Sequence, residues 1–338
     1  MSSSRSVGSN GSVDPRSKHF WTTRDMPPQD GKVVIVTGAS SGMGWYCAQA
    51  LAEHGAHVII AARSLERCQS AASLIKETGV RGKVDAMHLD LSSFRSIVDF
   101  AKEFKARKLP LHTLVNNAGV FLVPFDHTQE GFETTVGINY FGHFLLTHLL
   151  MDKLKETGPG SRVVSMASLF ELLGSVNWSD LEGKSAKESG LFEYSSSKIE
   201  IIMFVRELNK RLRGSGVEVF ASQPGLVQTQ LNGRKLDHGK LTSNLVDLAT
   251  RVYGQRAEKA SYCLQRPASD PTVDGYGGSY FSPPWLWILA LNLDHAGMRE
   301  PGNSLARDEA AWARLYNQTL LIVNSKLAEK GLGSIEAV

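Results

Sequence analysis

Short apolar runs alternate along the chain with segments in which apolar residues recur at helical spacing. Six runs rich in Val, Ile and Leu predict strands, and a seventh is a weaker candidate: 32–38, 57–63, 84–91, 111–119, 161–168, 217–225 and 278–283. The segments between them predict helices, including a long helix from about residue 139 and another that ends at about residue 213. Strands that are apolar on both faces and separated by helices predict a mainly parallel sheet with helices on both faces.

This alternation continues past the middle of the chain without a linker or an internal repeat. We therefore predict a single doubly wound α/β domain over residues 26–326. Residues 1–25 begin with a stretch rich in serine and glycine and predict a disordered tail, whereas residues 327–338 predict a flexible C-terminal tail.

Composition and charge narrow the possible partners. Apolar residues make up 42% and charged residues 21% of the 338 positions, which is ordinary for a globular protein. The net charge of +3 is spread without a basic tract, so we predict no nucleic-acid partner. The three cysteines form no CxxC pair, so they predict neither a disulfide framework nor a zinc site, and we predict no metal.

The strongest apolar run, residues 283–291, contains two tryptophans and is too short to cross a membrane. It suits part of the core, a lid over an apolar substrate, or a peripheral membrane contact. Because the first residues lack the apolar stretch of a secretory signal, we predict a cytoplasmic protein. An organelle lumen and the membrane periphery are the alternatives.

A glycine-rich turn, TGASSGMG at residues 37–44, joins the first predicted strand to the first helix. In this context Gly38 permits a tight turn, Gly42 lets the backbone approach a pyrophosphate, and Gly44 lets the helix pack closely on the strand. The helix N-terminus adds backbone donors for phosphate groups. A purely structural turn is the alternative, but the pattern favours dinucleotide binding on a Rossmann-type fold.

The end of the second strand indicates which dinucleotide binds. An acid at this position would bond the ribose hydroxyls of NAD, but the sequence has Ala61, Ala62 and Arg63. Because a guanidinium suits a 2′-phosphate, we predict NADP(H) rather than NAD(H), the alternative being a solvated arginine. Asp90 and Leu91 close the third strand and are candidates for adenine contacts, although Asp90 equally suits a cap for the next helix.

Tyr194 and Lys198 lie four residues apart in YSSSK, so on a helix they share one face. A phenol has a pKa of about 10, too high for proton transfer near neutrality, and a nearby ammonium would lower it by roughly two or three units at most. The alternative is a half-buried tyrosine beside a solvated lysine.

Four motifs in this order, TGASSGMG, NNAG (116–119), YSSSK (194–198) and PGLVQT (224–229), resemble the short-chain dehydrogenase/reductase family over about residues 30–325. Three further stretches are similar to its retinol-dehydrogenase-like branch: FWTTRDMPPQDGK, GFETTVGINYFGHFLLT and the long segment 169–193. MHLDL and the GIN–GHFLL pattern also resemble light-dependent protochlorophyllide reductases, although the cysteine that those enzymes carry near NNAG is missing.

The resemblance implies the catalytic roles. Tyr194 would donate a proton to a carbonyl oxygen or remove it from an alcohol, and Lys198 would bind the nicotinamide ribose and lower the pKa of Tyr194. Ser168 would bond the substrate oxygen, with Ser165 as the alternative, and Asn139 would hold a water that links Lys198 to solvent. The serines between Tyr194 and Lys198 would need no chemical role beyond close packing.

The resemblance also implies an NADP(H)-dependent oxidoreductase that acts on an apolar carbonyl or alcohol such as a retinoid, a steroid or another lipid-like molecule. A catalytically silent dinucleotide-binding scaffold and a C=C reductase are the alternatives. The sequence leaves the oligomeric state open, a homodimer included. The implied cofactor-binding residues are Gly38, Ser40, Ser41, Gly42, Met43, Gly44, Arg63, Asp90, Leu91, Asn117, Ala118, Gly119, Tyr194, Lys198, Pro224, Gly225, Val227 and Thr229.

Overall fold

The computed structural model describes residues 21–186, 190–228, 255–283 and 297–338. Its strands are β1 (Val33–Thr37), β2 (His57–Ala62), β3 (Lys83–His88), β4 (Thr113–Asn116), β5 (Ser161–Met166), β6 (Val217–Ser222), β7 (Val227–Gln228), β8 (Gln255–Arg256), β9 (Tyr280–Ser282) and β10 (Gly297–Arg299). Eight of them form one sheet in the order β10-β9-β6-β5-β4-β1-β2-β3. Only β10 in this sheet is antiparallel to its neighbour, β9.

The helices that follow these strands are α1 (Gly42–Glu53), α2 (Leu65–Glu77), α3 (Phe94–Ala106), α4 (Thr134–Val136), α5 (Gly142–Thr157), α6 (Leu191–Arg211), α7 (Ala257–Ala260), α8 (Tyr262–Ser269) and α9 (Glu309–Glu329). The strand order reverses between β1 and β4. In a doubly wound sheet, ligands bind at such a reversal, beyond the carboxyl ends of the strands.

Successive residues of the central strand β1 supply two separate apolar layers. Val33 and Ile35 belong to the layer that includes residues of α3, α5, α6 and α9. Val34 and Val36 belong to the opposite layer, with residues of α1, α2 and α8. Because every residue of β1 is buried, the predicted Rossmann-type sheet with helices on both faces is confirmed.

All six stronger strand predictions correspond to strands of the sheet, and the weaker run at 278–283 contains β9, which pairs in parallel with β6. Strand β10 escaped prediction because its three residues show no apolar alternation. Within the described ranges, no helix is long and apolar enough to span a membrane. Residues 284–291 of the predicted apolar segment lie outside these ranges, as does Thr229.

The predicted N-terminal boundary needs correction. Trp21 is buried, and Thr23–Asp25 form a short 3-10 helix whose first residue donates a hydrogen bond from its hydroxyl to Gln265 Oε1 over 2.7 Å. The folded domain therefore includes residues before 26, because Trp21 is buried in one of the two apolar layers.

The predicted C-terminal tail also packs on the domain. Helix α9 continues to residue 329, and Ile335 beyond it is buried and donates its backbone N–H to Asn324 Oδ1 over 2.8 Å. Val338 donates its backbone N–H to the hydroxyl of Tyr316 over 3.1 Å. The prediction of a flexible tail from residue 327 is thus wrong, since its few apolar residues find partners on α9.

Candidate active site

The loops that carry the predicted site all lie at the carboxyl edge of the parallel strands. They bring together residues 38–44 after β1, Arg63 after β2, Asp90 and Leu91 after β3, Asn117, Ala118 and Gly119 after β4, Ser168 after β5, and Pro224 and Gly225 after β6.

The three glycines of the turn occupy three different environments. Gly38 has a φ of +66°, and a Cβ there would lie 2.7 Å from Ala118 Cα. A Cβ on Gly44 would lie 2.5 Å from Asn117 Nδ2, so this glycine allows close packing. Gly42 has a φ of +63° and open space where a Cβ would stand. A ligand can therefore approach the backbone at Gly42, whereas other protein atoms fill the space beside Gly38 and Gly44.

Helix α1 begins at Gly42, within this turn. Ser41 occupies the N-cap position without a side-chain bond to the first turn, and Ser40 and Met43 on either side are half-buried. The first N–H groups of a helix have no intrahelical acceptor, and the helix dipole favours negative charge there. This end of α1 therefore fits a pyrophosphate.

Arg63 lies exposed immediately after β2, next to the glycine turn. The two loops are joined because Gly38 donates its backbone N–H to the carbonyl of Ala61 over 2.7 Å. The guanidinium thus stands at the same edge as the open backbone at Gly42.

Asp90 serves the turn that leads into α3. Its Oδ1 accepts hydrogen bonds from the backbone N–H of Ser92 over 2.9 Å and from the Ser92 hydroxyl over 2.7 Å. The N-cap of α3 is Ser93, so Asp90 stabilises the turn without capping the helix itself. Leu91 is buried in the apolar core.

The proline–glycine turn follows β6. Gly225 has a φ of +75° and donates its backbone N–H to Gln223 Oε1 over 2.6 Å, while the Pro224 carbonyl accepts from the side chain of Gln255. Val227 lies in β7, which pairs with β8. The bond from Gln255 and the pairing of β7 with β8 hold the turn against β8.

Tyr194 lies in the first turn of α6, close to the side chain of Ser168 at the start of a 3-10 helix, Leu169–Leu173. Burial raises the pKa of Tyr194, and the nearby Ser168 hydroxyl opposes this rise in pKa. Ser165, the alternative serine, lies within β5 and accepts a hydrogen bond from Asn116 instead. The structure therefore places Ser168, and not Ser165, at the phenol.

Lys198 lies one helical turn beyond Tyr194, with its Nζ 5.3 Å from the centre of the phenol ring. The ammonium is buried and donates to the carbonyl of Met166 over 3.0 Å. Burial lowers the pKa of Lys198 to about 7. The predicted depression of the Tyr194 pKa is wrong for this structure, because residue spacing omits desolvation, which disfavours the charged form of both groups.

Asn139 lies in a π-helical turn, Gly137–Phe141, that precedes α5. Its Oδ1 accepts from the backbone N–H of Val120 over 2.8 Å, and its Nδ2 donates to the Val120 carbonyl over 3.1 Å and to Ser197 Oγ over 3.2 Å. A Cβ on Gly119 would lie 3.1 Å from Asn139 Oδ1 and 3.7 Å from Lys198 Nζ. Asn139 and Lys198 thus stand beside the loop after β4, as a shared active site requires.

The sequence profile of the short chain dehydrogenase family matches residues 32–239, which span this edge from β1 to beyond the proline–glycine turn. The chain belongs to the short chain dehydrogenase family. It is therefore an oxidoreductase of a family whose members bind a nicotinamide dinucleotide.

Two relatives match this short chain dehydrogenase over most of their length. Retinol dehydrogenase 12 of Mus musculus is 44% identical over 295 residues, which cover 85% of this chain and 84% of the relative. The polyprenol dehydrogenase of Danio rerio is 36% identical over 307 residues, which cover 89% and 90% of the two chains. These relatives confirm the predicted similarity to the retinol-dehydrogenase-like branch.

Solved structures share the fold. A protein of Mycobacterium Paratuberculosis is 29% identical, with a TM-score of 0.70 over 90% of this chain and 98% of that protein. The complex of Pseudomonas aeruginosa RhlG with NADP superposes with a TM-score of 0.58 at 23% identity, covering 75% and 95% of the two chains. The latter likeness concerns the fold alone.

One of the serines between the predicted acid and lysine of this short chain dehydrogenase has a clear bonding role. Ser197 accepts from Asn139 and donates its hydroxyl to the Tyr194 carbonyl over 2.7 Å. In the described part of the chain, the buried hydroxyls of Ser195 and Ser196 have no hydrogen-bond partner. Close packing thus accounts for two of the serines, whereas Ser197 anchors Asn139.

Two phenylalanines beside the phenol escaped the sequence analysis. The ring of Phe121 lies 4.4 Å from that of Tyr194, and the ring of Phe170 lies 5.8 Å from it. Leu122, next to Phe121, has a φ of +47°, which is strained for a leucine. No sequence motif includes these residues. Phe121 closely follows NNAG and Phe170 closely follows Ser168, so their nearness to predicted site residues could have identified them.

Proposed function

We propose that this protein is an NADP(H)-dependent oxidoreductase that transfers hydride between the nicotinamide and an apolar carbonyl or alcohol, with Tyr194 as the acid or base. The observation that carries the proposal is the convergence of four side chains from three separate segments. Ser168 lies close to Tyr194, Lys198 lies one turn away, and Asn139 and Lys198 both lie beside Gly119.

The proton chemistry follows from burial. Because its pKa is raised, the Tyr194 phenol is protonated at neutral pH and suited to donate to a carbonyl oxygen. We expect the Ser168 hydroxyl to bond the same oxygen as negative charge develops on it. Lys198, with a pKa of about 7, supplies a positive charge that is strongest below neutral pH.

We base the choice of cofactor on how the residues at the carboxyl edge of the strands match the chemical groups of NADP(H). The open backbone at Gly42 and the start of α1 suit a pyrophosphate, and the exposed Arg63 suits a 2′-phosphate. Lys198 suits the hydroxyls of the nicotinamide ribose. Bound NADP(H) would supply or accept the hydride, and the protein would position it and move the proton.

The surroundings of Tyr194 support an apolar substrate. Beside the rings of Phe121 and Phe170, four exposed apolar side chains flank the segments that carry Ser168 and Tyr194: Leu172, Leu173, Leu191 and Phe192. The relatives from Mus musculus and Danio rerio are named for retinol and polyprenol, which are long apolar alcohols. We therefore propose a retinoid or another lipid-like molecule as the substrate class.

Replacing the phenol tests the proposal directly. In Tyr194→Phe we expect turnover of retinaldehyde with NADPH to fall by about 10²–10⁴-fold, while the Kd for NADPH stays within about threefold, because only the proton donor is lost. Tyr276→Phe, in the loop before β9, is the matched control. A protein that binds NADPH and turns over none of a panel of apolar aldehydes would be a scaffold, contrary to the proposal.

Arg63 tests the choice of cofactor. In Arg63→Asp we expect the ratio of NADPH to NADH affinity to fall by about tenfold or more, because a carboxylate repels the 2′-phosphate and accepts from ribose hydroxyls. Lys102→Asp on the exposed face of α3 makes a similar change in charge away from this edge. An unaltered cofactor preference in Arg63→Asp would place the phosphate elsewhere.

A further inference from the structure

His143 connects two parts of the active site that belong to different segments. It lies in the first turn of α5 and is buried. Its Nδ1 is 3.1 Å from the carbonyl oxygen of Asn139, and its Nε2 is 3.0 Å from Thr37 Oγ1. One imidazole thus spans from the π-helical turn that carries Asn139 to the end of β1.

The partners of the ring determine its protonation. A carbonyl oxygen can only accept, so we assign the proton to Nδ1, which donates to Asn139. Nε2 is then an acceptor, and the Thr37 hydroxyl donates to it. The alternative acceptor for this hydroxyl, the Val115 carbonyl, is farther away at 3.4 Å. Burial lowers the pKa of His143 to about 4, which keeps the ring neutral at physiological pH.

Thr37 links His143 to the loop after β4, at the edge of the sheet where we propose that the cofactor binds. While it donates to His143, its oxygen accepts from the backbone N–H groups of Asn117 and Ala118, each over 3.0 Å. The Thr37 carbonyl in turn accepts from Asn117 Nδ2 over 2.8 Å. Because Gly38 packs against Ala118, these bonds set the spacing between the glycine turn and the loop after β4.

We propose that His143 is a positioning residue. Through its bonds to Asn139 and Thr37, it fixes the π-helical turn that carries Asn139 relative to the end of β1 and the loop after β4, which border the proposed dinucleotide site. This inference rests on the proposed function, since it concerns how that site is held. The described contacts of His143 are with Asn139 and Thr37, so its effect on catalysis is indirect.

The same helix supplies a matched control. His148 is also buried, with its Nδ1 2.8 Å from the Phe144 carbonyl and its Nε2 2.8 Å from the hydroxyl of Tyr316. Its side-chain partner, Tyr316, lies on α9 and not at the carboxyl edge of the strands, where we propose that the cofactor binds. Replacing either histidine by phenylalanine therefore removes two comparable hydrogen bonds, but only one replacement alters the site.

The experiment compares His143→Phe with His148→Phe in the full chain. We expect the urea midpoint to fall in both variants. The Kd for NADPH, measured by its fluorescence, should rise about tenfold in His143→Phe and by less than twofold in His148→Phe. Turnover of retinaldehyde should fall about tenfold in His143→Phe, with KM for the aldehyde unchanged.

Conservative variants keep the test decisive if His143→Phe fails to fold. His143→Gln retains an acceptor near the position of Nε2, and His143→Asn retains a donor near Nδ1, so each should recover part of the NADPH affinity. Two-bond ¹H–¹⁵N spectra of the wild type should show a neutral ring protonated at Nδ1.

Three results would overturn the inference. One is equal NADPH affinity in all the variants, and another is a ring protonated at Nε2. The third is a wild type that binds no dinucleotide at all, which removes the proposed function together with this inference. Normal binding by the wild type and by every His143 variant refutes the positioning role alone.

Discussion

Helix α5 joins two regions of the molecule that resemble one another locally and differ in what they do. At its start His143 bonds Thr37 at the cofactor edge, and further along His148 bonds Tyr316 of the C-terminal helix. Each ring is hydrogen-bonded to the carbonyl four residues earlier, and burial lowers the pKa of each to about 4. Local chemistry is therefore the same in the two places.

The difference lies in what each hydroxyl partner holds. Thr37 accepts from the loop after β4, so the His143 region shapes a surface that a ligand contacts. Tyr316 accepts from the backbone N–H of Val338 and lies under the guanidinium of Arg211, 4.0 Å from its ring centre, so the His148 region fastens the C-terminus. We therefore expect the buried neutral histidine to support stability in both regions and, in the His143 region, cofactor binding as well.

Lowering the pH should produce the largest change, a loss of the stability that His143 and His148 contribute. Each histidine has a folded pKa near 4, below the ordinary 6.5, so the folded state binds fewer protons than the unfolded state. Stability from each is present above pH 6.5 and lost as the pH falls from 6.5 to 4, by about 3 kcal/mol per ring. The charges that face them, Lys198 for His143 and Arg211 and Lys155 for His148, lower both pKa values further.

Urea unfolding of the wild type, His143→Gln and His148→Gln at pH 7 and pH 4 measures this loss. We expect each variant to lose about 3 kcal/mol less than the wild type between the two pH values. If either variant kept the full acid sensitivity, the ring at that position would not be buried and neutral.

The hydroxyl partners should give the next largest effect. Thr37→Val removes an acceptor from two backbone N–H groups and a donor from His143, so we expect a loss of about 2–3 kcal/mol in unfolding free energy and weaker NADPH binding. Tyr316→Phe leaves His148 without its donor and should cost about 1 kcal/mol with an unchanged Kd for NADPH. Weaker NADPH binding in both variants would show that the two regions do not differ in function.

The smallest effect should come from the end of the chain. Ile335 is buried against the domain, so Ile335→Ala should cost about 2 kcal/mol and Ile335→Val about 1 kcal/mol in unfolding free energy. The Kd for NADPH and the turnover should stay at the values of the wild type. Thermal and urea unfolding would check the stability, and a loss of NADPH affinity in Ile335→Ala would show that the C-terminal region reaches the site.

Local patterns were sufficient for the fold and for much of the site. A strand that is apolar on both faces must be covered by helices, and a parallel sheet collects the loops after its strands at one edge. For this reason the sequence predicts Gly42 and Ser168 at one edge, and Gly38 and Gly44 as positions for tight turning and packing, whereas the family resemblance implies that Tyr194 and Lys198 join them.

Contacts between distant segments decided the rest. The spacing in the sequence is enough to predict that Tyr194 and Lys198 share a helical face, because four residues make about one turn. The packing of distant segments was needed to reveal that the pKa of Tyr194 rises, that Phe121 and Phe170 lie beside the phenol, and that His143 contacts Thr37. Desolvation and cross-chain hydrogen bonds depend on which segments pack together, and residue spacing carries no measure of that packing.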